Sequence, residues 1–223
     1  MTRPNENAKA AAAQHDVIGV GRLSSQGSNP HPDAQWFGQQ NLGLFVHWGI
    51  SAVQGKVDLS WGMVKDKPWG GASVAPEQYW SQAKGFQPNA YDPERYLAAV
   101  AEAGFDYAVL TTKHHDGYLM WPAQQSALGT SIHMDGRDLV GPFVEACRKV
   151  GLKVGLYYSP PDWYFSREHL LFDYPGLKQS GQEPAGSIEG LGADYGSKIC
   201  RAPDAAFVAR RREYIRSHIF ELL

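Results

Sequence analysis

The sequence predicts an α/β fold whose strands lie side by side in one parallel sheet. The first observation is a continuous apolar run near residue 42, which is typical of a strand covered on both faces. The second is a regular alternation of helix and strand patterns, and the third is a glycine between each helix and the next strand. Together they predict the N-terminal portion of a (β/α)8 (TIM-like) barrel, with about three to three and a half βα units.

The first predicted strand covers residues 42–48. A single Gly49 follows it, so the glycine-rich phosphate turn of dinucleotide-binding folds is missing and a barrel is preferred to an open sheet. Residues 50–75 form a connection of a length that is usually functional or mobile. A short helix is predicted to begin near Pro76, because proline fits the first helical turn.

Two helix–strand units follow, each with the same signals. An aspartate precedes each helix, where its carboxylate can accept hydrogen bonds from the first backbone N–H groups. A glycine ends each helix, and two consecutive prolines stop the last strand. The predicted elements are a helix from Asp92 to Gly104, a strand over 105–112, a helix from Asp138 to Gly151 and a strand over 152–159, which Pro160 and Pro161 end.

A long helix is predicted from about Asp204 to the end of the sequence. Its apolar positions form one stripe, and its arginines mostly face away from that stripe. No Gly, Asn or Pro stop signal accompanies the last residues, so we expect the natural polypeptide to continue. The stripe consists of Phe207, Val208, Tyr214, Ile215, Ile219, Leu222 and Leu223, and the opposite side carries Arg210, Arg211, Arg212 and Arg216.

Composition suggests one partial domain behind a polar leader. Residues 1–33 are rich in Ala, Asn, Gln, Ser, Gly and Pro without a hydrophobic period, which predicts a mostly disordered leader. Residues 34–223 are predicted to form a partial barrel domain whose C-terminal part is missing. Two cysteines make no disulfide framework: Cys147 lies on a helical apolar stripe and is expected to be buried, whereas the pattern assigns no role to Cys200.

Charge and hydropathy narrow the possible partners. The 223-residue chain has a formal net charge of −2 and no basic run, so neither nucleic acid nor an anionic membrane surface is expected. No apolar run reaches the ~20 residues of a membrane span, and the N-terminus lacks the apolar region of a secretory signal. The sequence therefore assigns neither a compartment nor an oligomeric state.

Polar and aromatic residues collect where each predicted strand ends. His47 and Trp48 end the first strand, the run KHHDG ends the second, and YYS followed by Asp162 ends the third. The carboxyl ends of parallel barrel strands point to one face, and that face carries the active site in barrel enzymes. Three clusters on one predicted face therefore indicate a functional site there.

The histidines allow two kinds of site. A lone histidine such as His47 is more often a satisfied structural residue, whereas His114 and His115 can both reach a ligand only where Asp116 and Gly117 break the strand. Neutral imidazoles there can donate to or accept from the hydroxyls of a sugar. The alternative is a zinc or iron site made by His47, His114, His115 and Asp116, although no HExxH or His-x-His spacing is present.

Two carboxylates on the same face are candidates for glycoside hydrolysis. A retaining glycosidase needs a nucleophile and an acid/base about 5–5.5 Å apart. Asp116 and Asp162 are nominated by position alone. Equally, they could orient a histidine or cap a loop.

Four segments together resemble one known enzyme family. LGLFVHWG, AGFDYAVLTTKHHDGY, GRDLVGPFVEACRKVGLKVGLYYSPPDW and YIRSHIFELL are similar to the N-terminal half of the barrel domain of family 29 α-L-fucosidases. The resemblance covers residues 36–223, and the combination of HWG with KHHDG is highly specific. It implies a (β/α)8-like barrel that hydrolyses terminal α-L-fucose with retention, through a covalent glycosyl-enzyme and with no cofactor. Fucosylated oligosaccharides or glycoconjugates are the implied partners.

The resemblance also implies roles for individual residues. In the family, the histidine of HWG and both histidines of KHHDG hydrogen-bond the fucose hydroxyls; here these are His47, His114 and His115. An aromatic residue on the first strand and the first tyrosine of YYS shape the pocket for the apolar side and methyl group of fucose. A tryptophan in the loop after the first strand packs there as well. The corresponding residues are Phe45, Tyr157 and Trp61.

The chain departs from the family pattern in two places. The usual Glu-Trp-Tyr motif is absent, and Ser60 takes the acidic position before Trp61. In the family the nucleophilic aspartate closes the fourth strand, shortly after the helix that ends in ELL, and the acid/base glutamate comes later. We therefore expect both catalytic carboxylates beyond Leu223, and Asp116 and Asp162 become supporting residues.

A partial barrel has physical consequences. Three strands and part of a fourth unit cannot close a barrel, which takes eight strands and ~250 residues. The third strand would leave an unpaired edge, an aggregation hazard. We expect this polypeptide alone to be inactive and poorly stable. Two alternatives stay open: a non-catalytic fucose-binding fragment or pseudoenzyme, and a metal-dependent barrel hydrolase.

Overall fold

The computed structural model of the protein describes residues 31–37, 42–63, 74–167 and 204–223. The strands in these residues are β1 (Gly43–Val46), β2 (Tyr107–Lys113) and β3 (Lys153–Tyr158). The α-helices are α1 (Pro76–Ser81), α2 (Pro93–Glu102), α3 (Thr130–His133), α4 (Gly141–Lys149) and α5 (Ala205–Leu222). Short 3₁₀ helices cover Pro32–Ala34, Ile50–Val53, Leu59–Met63 and Gln82–Gly85.

The strands form one parallel sheet in the order β1-β2-β3. Helices α1 and α2 lie in the connection from β1 to β2, and α3 and α4 in the connection from β2 to β3. The predicted α/β class and parallel pairing are confirmed. Within the described residues β1 and β3 each pair with β2 alone, and the closed barrel stays a prediction.

The strand bounds differ from the predicted ones by one or two residues. β2 begins at Tyr107 because Gly104 has φ +86° and the N–H of Phe105 still donates to the last turn of α2. In the same way, the N–H of Leu152 donates to a carbonyl of α4, so β3 starts one residue later than predicted. At its other end β2 continues to Lys113, one residue beyond the predicted end.

An irregularity interrupts the regular strand pairing at the end of β2, where the polar residues lie. Thr111 faces Tyr157 in the regular register, and the register shifts before Lys113 faces Tyr158. The Thr112 hydroxyl donates to the Tyr157 carbonyl at 2.8 Å. Bulges of this kind re-aim the following side chains, and they are frequent beside functional sites.

The predicted aspartate caps are confirmed for α2 and shifted for α4. The Asp92 carboxylate accepts a hydrogen bond from the N–H of Arg95 at 3.1 Å. Asp138 instead lies before the cap position of α4, and its Oδ1 accepts from the N–H groups of Val140 and Gly141 at 2.8 and 3.0 Å. The helix therefore begins two residues later than predicted, with Val140 at the cap position and a proline in its first turn.

The hydrophobic core lies between the sheet and the helices α2 and α4, which also pack on each other. Each large apolar side chain buried there contributes about 1.5–3 kcal/mol. Cys147 is fully buried, as predicted. On the other face of the sheet Phe45 is 49% exposed, so the expectation that β1 is covered on both faces is wrong for the described residues. Core members include Leu97, Ala108, Leu110, Leu139 and Phe143.

Helix α5 buries a narrower stripe than predicted. Phe207 and Tyr214 are buried, but Val208, Ile219 and Leu223 are exposed, so the prediction is wrong for these three. The buried side instead includes His218. Spacings of seven and eleven residues from Phe207 return to the same side of a helix, which explains why Tyr214, as predicted, and His218, which was not predicted, are buried with Phe207.

His218 fastens α5 to the rest of the fold. Its Nδ1 is hydrogen-bonded to the Tyr158 hydroxyl at 2.9 Å, and its Nε2 to the Gln125 carbonyl at 2.6 Å. The carbonyl can only accept, so the ring carries its proton on Nε2 and accepts from Tyr158.

None of the helices in the described part of the chain combines the length and apolarity of a bilayer-crossing segment. The predicted leader, up to residue 30, and Cys200 lie outside the described residues.

Candidate functional site

Six side chains meet at the carboxyl-terminal ends of the three strands and in the loops that follow, and we refer to them as the ring cluster. The His114 ring lies at its centre, 5.0 Å from the His47 ring and 4.4 Å from the His115 ring between centroids. Tyr157 stacks on His114 at 5.7 Å with an interplanar angle of 18°. The members of the ring cluster, all named from the sequence, are Phe45, His47, Trp61, His114, His115 and Tyr157.

Phe45, His47 and Tyr157 form the accessible wall of the ring cluster. The Phe45 ring lies 5.2 Å from His47 and 5.6 Å from Tyr157. Phe45 and Tyr157 lie on the two outer strands, β1 and β3. Their partners on β2, Val109 and Thr111, are two residues apart, so both side chains lie on the same face of the sheet. The His47 side chain is 35% exposed and lies 3.9 Å from the Asp58 carboxylate. Burial lowers the pKa of His47, and Asp58 opposes that shift.

Trp61 closes the opposite side of the ring cluster. It belongs to the 3₁₀ helix Leu59–Met63, in the long connection after β1. Its ring meets His115 edge-on at 5.1 Å and Trp163 at 5.9 Å. The aromatic residue predicted in this loop therefore does lie against the histidines.

Two serines hold the histidine pair. The Ser60 hydroxyl is hydrogen-bonded to Nδ1 of His114, and the Ser159 hydroxyl to Nδ1 of His115. Both histidines are only 4% exposed. Burial, and then nearby His and Lys side chains, lowers the pKa of His114 to about 2 and that of His115 to about 3. At neutral pH both rings are therefore uncharged. Each has one donor and one acceptor nitrogen, and one of the two, Nδ1, is bonded to a serine.

A buried lysine lies beneath the histidines. The Lys113 ammonium donates to the Ser159 carbonyl at 2.6 Å and to the Pro161 carbonyl at 3.0 Å. It also forms an ion pair with Asp162 at 3.5 Å, and both side chains are inaccessible to solvent. Burial lowers the pKa of Lys113, while Asp162 opposes this effect. The ammonium thus ties the end of β2 to the segment after β3, which carries the serine bonded to His115.

The two carboxylates nominated from the sequence are structural in their contacts. Asp116 accepts hydrogen bonds from the Tyr79 hydroxyl at 2.7 Å and the Tyr118 N–H at 2.8 Å. Asp162 accepts from the Phe165 N–H at 2.8 Å and pairs with Lys113. Both are 2% exposed, and burial raises the pKa of Asp116 to about 6. They cap loops, and neither is hydrogen-bonded to a histidine ring of the ring cluster among the described contacts.

Gly117 allows the loop after the histidines to turn against Asp162. Its φ is +85°, and a Cβ built there would lie 2.3 Å from Oδ1 of Asp162. We expect Gly117→Ala to lower the free energy of unfolding by more than about 2 kcal/mol, because it adds a clash with a buried carboxylate to an unfavourable backbone conformation. Urea unfolding measures this loss.

Gly104→Ala is the matched control for that prediction. Gly104 has φ +86°, but a Cβ there meets nothing within 4 Å. Only the backbone cost of about 1 kcal/mol should appear in this variant. Equal losses in the two variants would mean that the contact with Asp162 does not matter.

The arrangement suits a small polar ligand with one apolar side. Neutral imidazoles supply donors and acceptors, and aromatic rings supply faces on which an apolar surface can stack. Within the described residues no group of three or more His, Cys, Asp or Glu side chains is placed to hold a metal ion. The predicted zinc or iron alternative therefore gains no support from the geometry of this part of the chain.

Sequence reasoning missed the residues that hold the ring cluster in place. In the sequence, Lys113 is one residue of a polar run and Ser159 one residue of a motif, and neither pattern indicates a supporting role. Tyr79 looked like a helix residue, yet its hydroxyl reaches Asp116 across the fold. These contacts join positions 37 to 54 residues apart, so no local pattern signals them.

Comparison with known proteins identifies the family. The sequence model described as Alpha-L-fucosidase matches residues 13–188 of this chain. The chain is 35% identical over 146 residues to the tissue α-L-fucosidase of Bos taurus, a match covering 61% of this chain and 31% of that protein. It is 34% identical over 160 residues to the enzyme of Rattus norvegicus, covering 68% and 34%. The chain thus spans about a third of the length of these curated relatives.

Solved structures agree with the sequence matches. The α-L-fucosidase isoenzyme 1 of Paenibacillus thiaminolyticus superposes with a TM-score of 0.60 at 29% identity, covering 84% of this chain and 39% of that one. The α-L-fucosidase AlfC of Lactobacillus casei superposes with a TM-score of 0.58 at 26% identity, covering 81% and 53%. By sequence and by fold, this chain belongs to the α-L-fucosidase family, glycoside hydrolase family 29.

Proposed function

We propose that this chain supplies the sugar-binding half of a retaining α-L-fucosidase, which hydrolyses terminal α-L-fucose from glycoconjugates. One observation carries the proposal: the six residues of the ring cluster converge on one face of the sheet. Neighbouring rings of the cluster lie 4.4 to 6.3 Å apart between centroids. Family membership supports fucose as the sugar.

Each part of the ring cluster is proposed to recognise one feature of fucose. His47, His114 and His115 hydrogen-bond the hydroxyls, since uncharged imidazoles match hydroxyl donors and acceptors. Phe45 and Tyr157 contact the apolar side of the sugar and its methyl group. Trp61 backs the histidines from the opposite side. A few convergent polar groups among aromatic and apolar side chains are typical of small-molecule sites.

The catalytic carboxylates are proposed to lie outside this chain. A nucleophile has to touch the anomeric carbon, but Asp116 and Asp162 are buried and already engaged by Tyr79 and Lys113. The greater length of the curated relatives leaves ample sequence for such a pair. The parallel sheet, with its polar residues at the carboxyl ends of the strands, supports a partial (β/α)8 barrel as the scaffold.

The proposed substrate class is a fucosylated oligosaccharide or glycoconjugate. A solved structure of the similar AlfC enzyme, in a variant form, is a complex with Fuca(1,6)GlcNAc. That ligand shows what the neighbour binds, and it supports a fucoside as the ligand of this chain.

The purified 223-residue chain is expected to release no 4-nitrophenol from 4-nitrophenyl α-L-fucopyranoside above the rate in buffer, because Asp116 and Asp162 are buried and already engaged by Tyr79 and Lys113. A colorimetric assay at high protein concentration checks this. Asp116→Asn and Asp162→Asn are the control variants. Turnover by the parent chain that one of these variants abolishes would contradict the assignment of the catalytic pair to residues outside the chain.

A further inference from the structure

We propose that Ser60 is a positioning residue for sugar recognition: its hydroxyl donates to Nδ1 of His114 and fixes that ring in the neutral tautomer with its proton on Nε2. His114 then offers the ligand a donor only, so the sugar hydroxyl opposite it has to accept. This inference rests on the proposed function, which it deepens by assigning the direction of one hydrogen bond.

The contact that carries this inference is buried. Ser60 is 0% exposed, and among the described residues its hydroxyl is hydrogen-bonded to His114 Nδ1 alone. A ring nitrogen and a hydroxyl can share a hydrogen bond in either direction. The direction of this hydrogen bond follows from which atom of Ser60 or His114 would be left without a partner in each of the two directions.

If Nδ1–H of His114 donated, the hydroxyl proton of Ser60 would be buried without an acceptor, which is costly. If the hydroxyl donates, its proton is paired and Nδ1 accepts. The remaining lone pairs of a serine oxygen are easier to leave unpaired than its proton. The second arrangement is favoured by roughly tenfold to a hundredfold in the tautomer equilibrium.

The backbone before Ser60 is held in a rare conformation. Leu59 has φ +37°, which is unfavourable for a branched side chain, and the residue is buried at 3% exposure. Such strain persists only where the surrounding structure enforces it. Here it accompanies a turn that brings the Ser60 hydroxyl to a histidine 54 residues away in sequence.

The other nitrogen of His114 is left for a ligand. Within the described residues no protein group is hydrogen-bonded to Nε2 of His114, and this atom is not among the fully buried polar atoms without a partner. It therefore retains contact with solvent. The ring is fixed by stacking on Tyr157 and by the edge contact with His47, so the Nε2–H is a preorganised donor.

Nitrogen chemical shifts of the histidine rings test the tautomer directly. Long-range ¹H–¹⁵N spectra are recorded for the full chain labelled with ¹⁵N on histidine, at pH 7 and without ligand. A His114→Asn variant identifies the His114 signals. We expect a protonated Nε2 and an unprotonated Nδ1. A proton on Nδ1, or on both nitrogens, overturns the inference whatever any variant does.

Serine variants test the cause of the tautomer. Ser60→Ala should give a mixture of both tautomers at His114, and Ser60→Thr, which keeps the hydroxyl, should restore the parent pattern. Ser159→Ala is the matched control, because it removes an equally buried hydroxyl from His115 and should leave the tautomer of His114 unchanged. An unchanged tautomer of His114 in Ser60→Ala overturns the role of Ser60.

Binding separates this inference from the function on which it rests. Ser60→Ala should weaken L-fucose binding by roughly three- to tenfold in calorimetric titration, and Ser60→Thr should recover most of that loss. The expected tautomer in a parent chain that does not bind L-fucose contradicts the proposed function. Fucose binding with the proton of His114 on Nδ1 contradicts this inference alone.

Discussion

Lys113→Met is expected to lower the free energy of unfolding by about 3–5 kcal/mol, the usual cost of removing one partner from a buried ion pair. Methionine has a similar length but leaves the Asp162 carboxylate buried without its counterion. It also leaves the carbonyls of Ser159 and Pro161 without their donor. Because Ser159 holds His115, L-fucose binding should weaken as well. Urea unfolding and calorimetric titration measure the two losses.

Lys149→Met is the matched control for the buried lysine. Lys149 pairs with Glu94 on the surface, where both side chains are more than 60% exposed. Exposed pairs contribute less than about 1 kcal/mol, so this variant should unfold almost like the parent chain. Similar losses in both variants would show that the buried ammonium has no special part in the stability of the site.

Lowering the pH from 7 to 5 is expected to lower the free energy of unfolding by about 3 kcal/mol. Burial holds the pKa of His114 at about 2 and that of His115 at about 3, below the ordinary value of 6.5 that applies in the unfolded chain. Below pH 6.5 the unfolded chain binds protons that the folded rings do not, so stability falls with pH. At pH 5 each ring accounts for about 2 kcal/mol of this loss.

Asp116 affects the pH dependence of stability in the direction opposite to the histidines. Burial raises its pKa from 3.8 to about 6, so the folded chain binds this proton more tightly than the unfolded chain does. Its contribution therefore grows as the pH falls through 6 and reaches about 1 kcal/mol at pH 5. Two histidine contributions exceed one aspartate contribution, and the lowered pKa values of His47 and His218 act in the same direction as those of the histidine pair.

Urea unfolding at pH 7, 6 and 5 measures this dependence. His114→Asn removes one titrating ring and should reduce the loss between pH 7 and 5 by about 2 kcal/mol, whereas Asp116→Asn should increase it by about 1 kcal/mol. Stability that is flat or rises over this range would mean that the histidine pair is protonated in the folded chain.

The strand order and the position of the site could be predicted from the sequence because their signals are local. A glycine such as Gly104 or Gly151 adopts positive φ after a helix, and the apolar run that follows forms the strand. Parallel pairing then brings strand ends together, which places His47 beside His114 although 67 residues separate them. The motifs shared with the fucosidase family, HWG and KHHDG, contain these same two histidines.

The supports of the site could not be predicted, because they depend on distant contacts. Ser60 follows a residue with an unusual φ, and no composition signal shows that its hydroxyl meets His114. The burial of Lys113 needs two carbonyls after β3 that point at its ammonium. On α5, period-3.6 reasoning identified the helix but not which of its polar residues would be buried, so it missed His218.

The most direct test of a fucose-recognition face is a titration of the parent chain with L-fucose, followed through the histidine ring signals. Saturable shifts at His47 and His114 are expected, with none for D-fucose at the same concentrations, because the ring cluster presents donors and apolar faces in one handed arrangement. Unchanged ring chemical shifts of His47 and His114 at saturating L-fucose, or equal shifts with both enantiomers, would contradict the assignment of the sugar-binding site to the ring cluster.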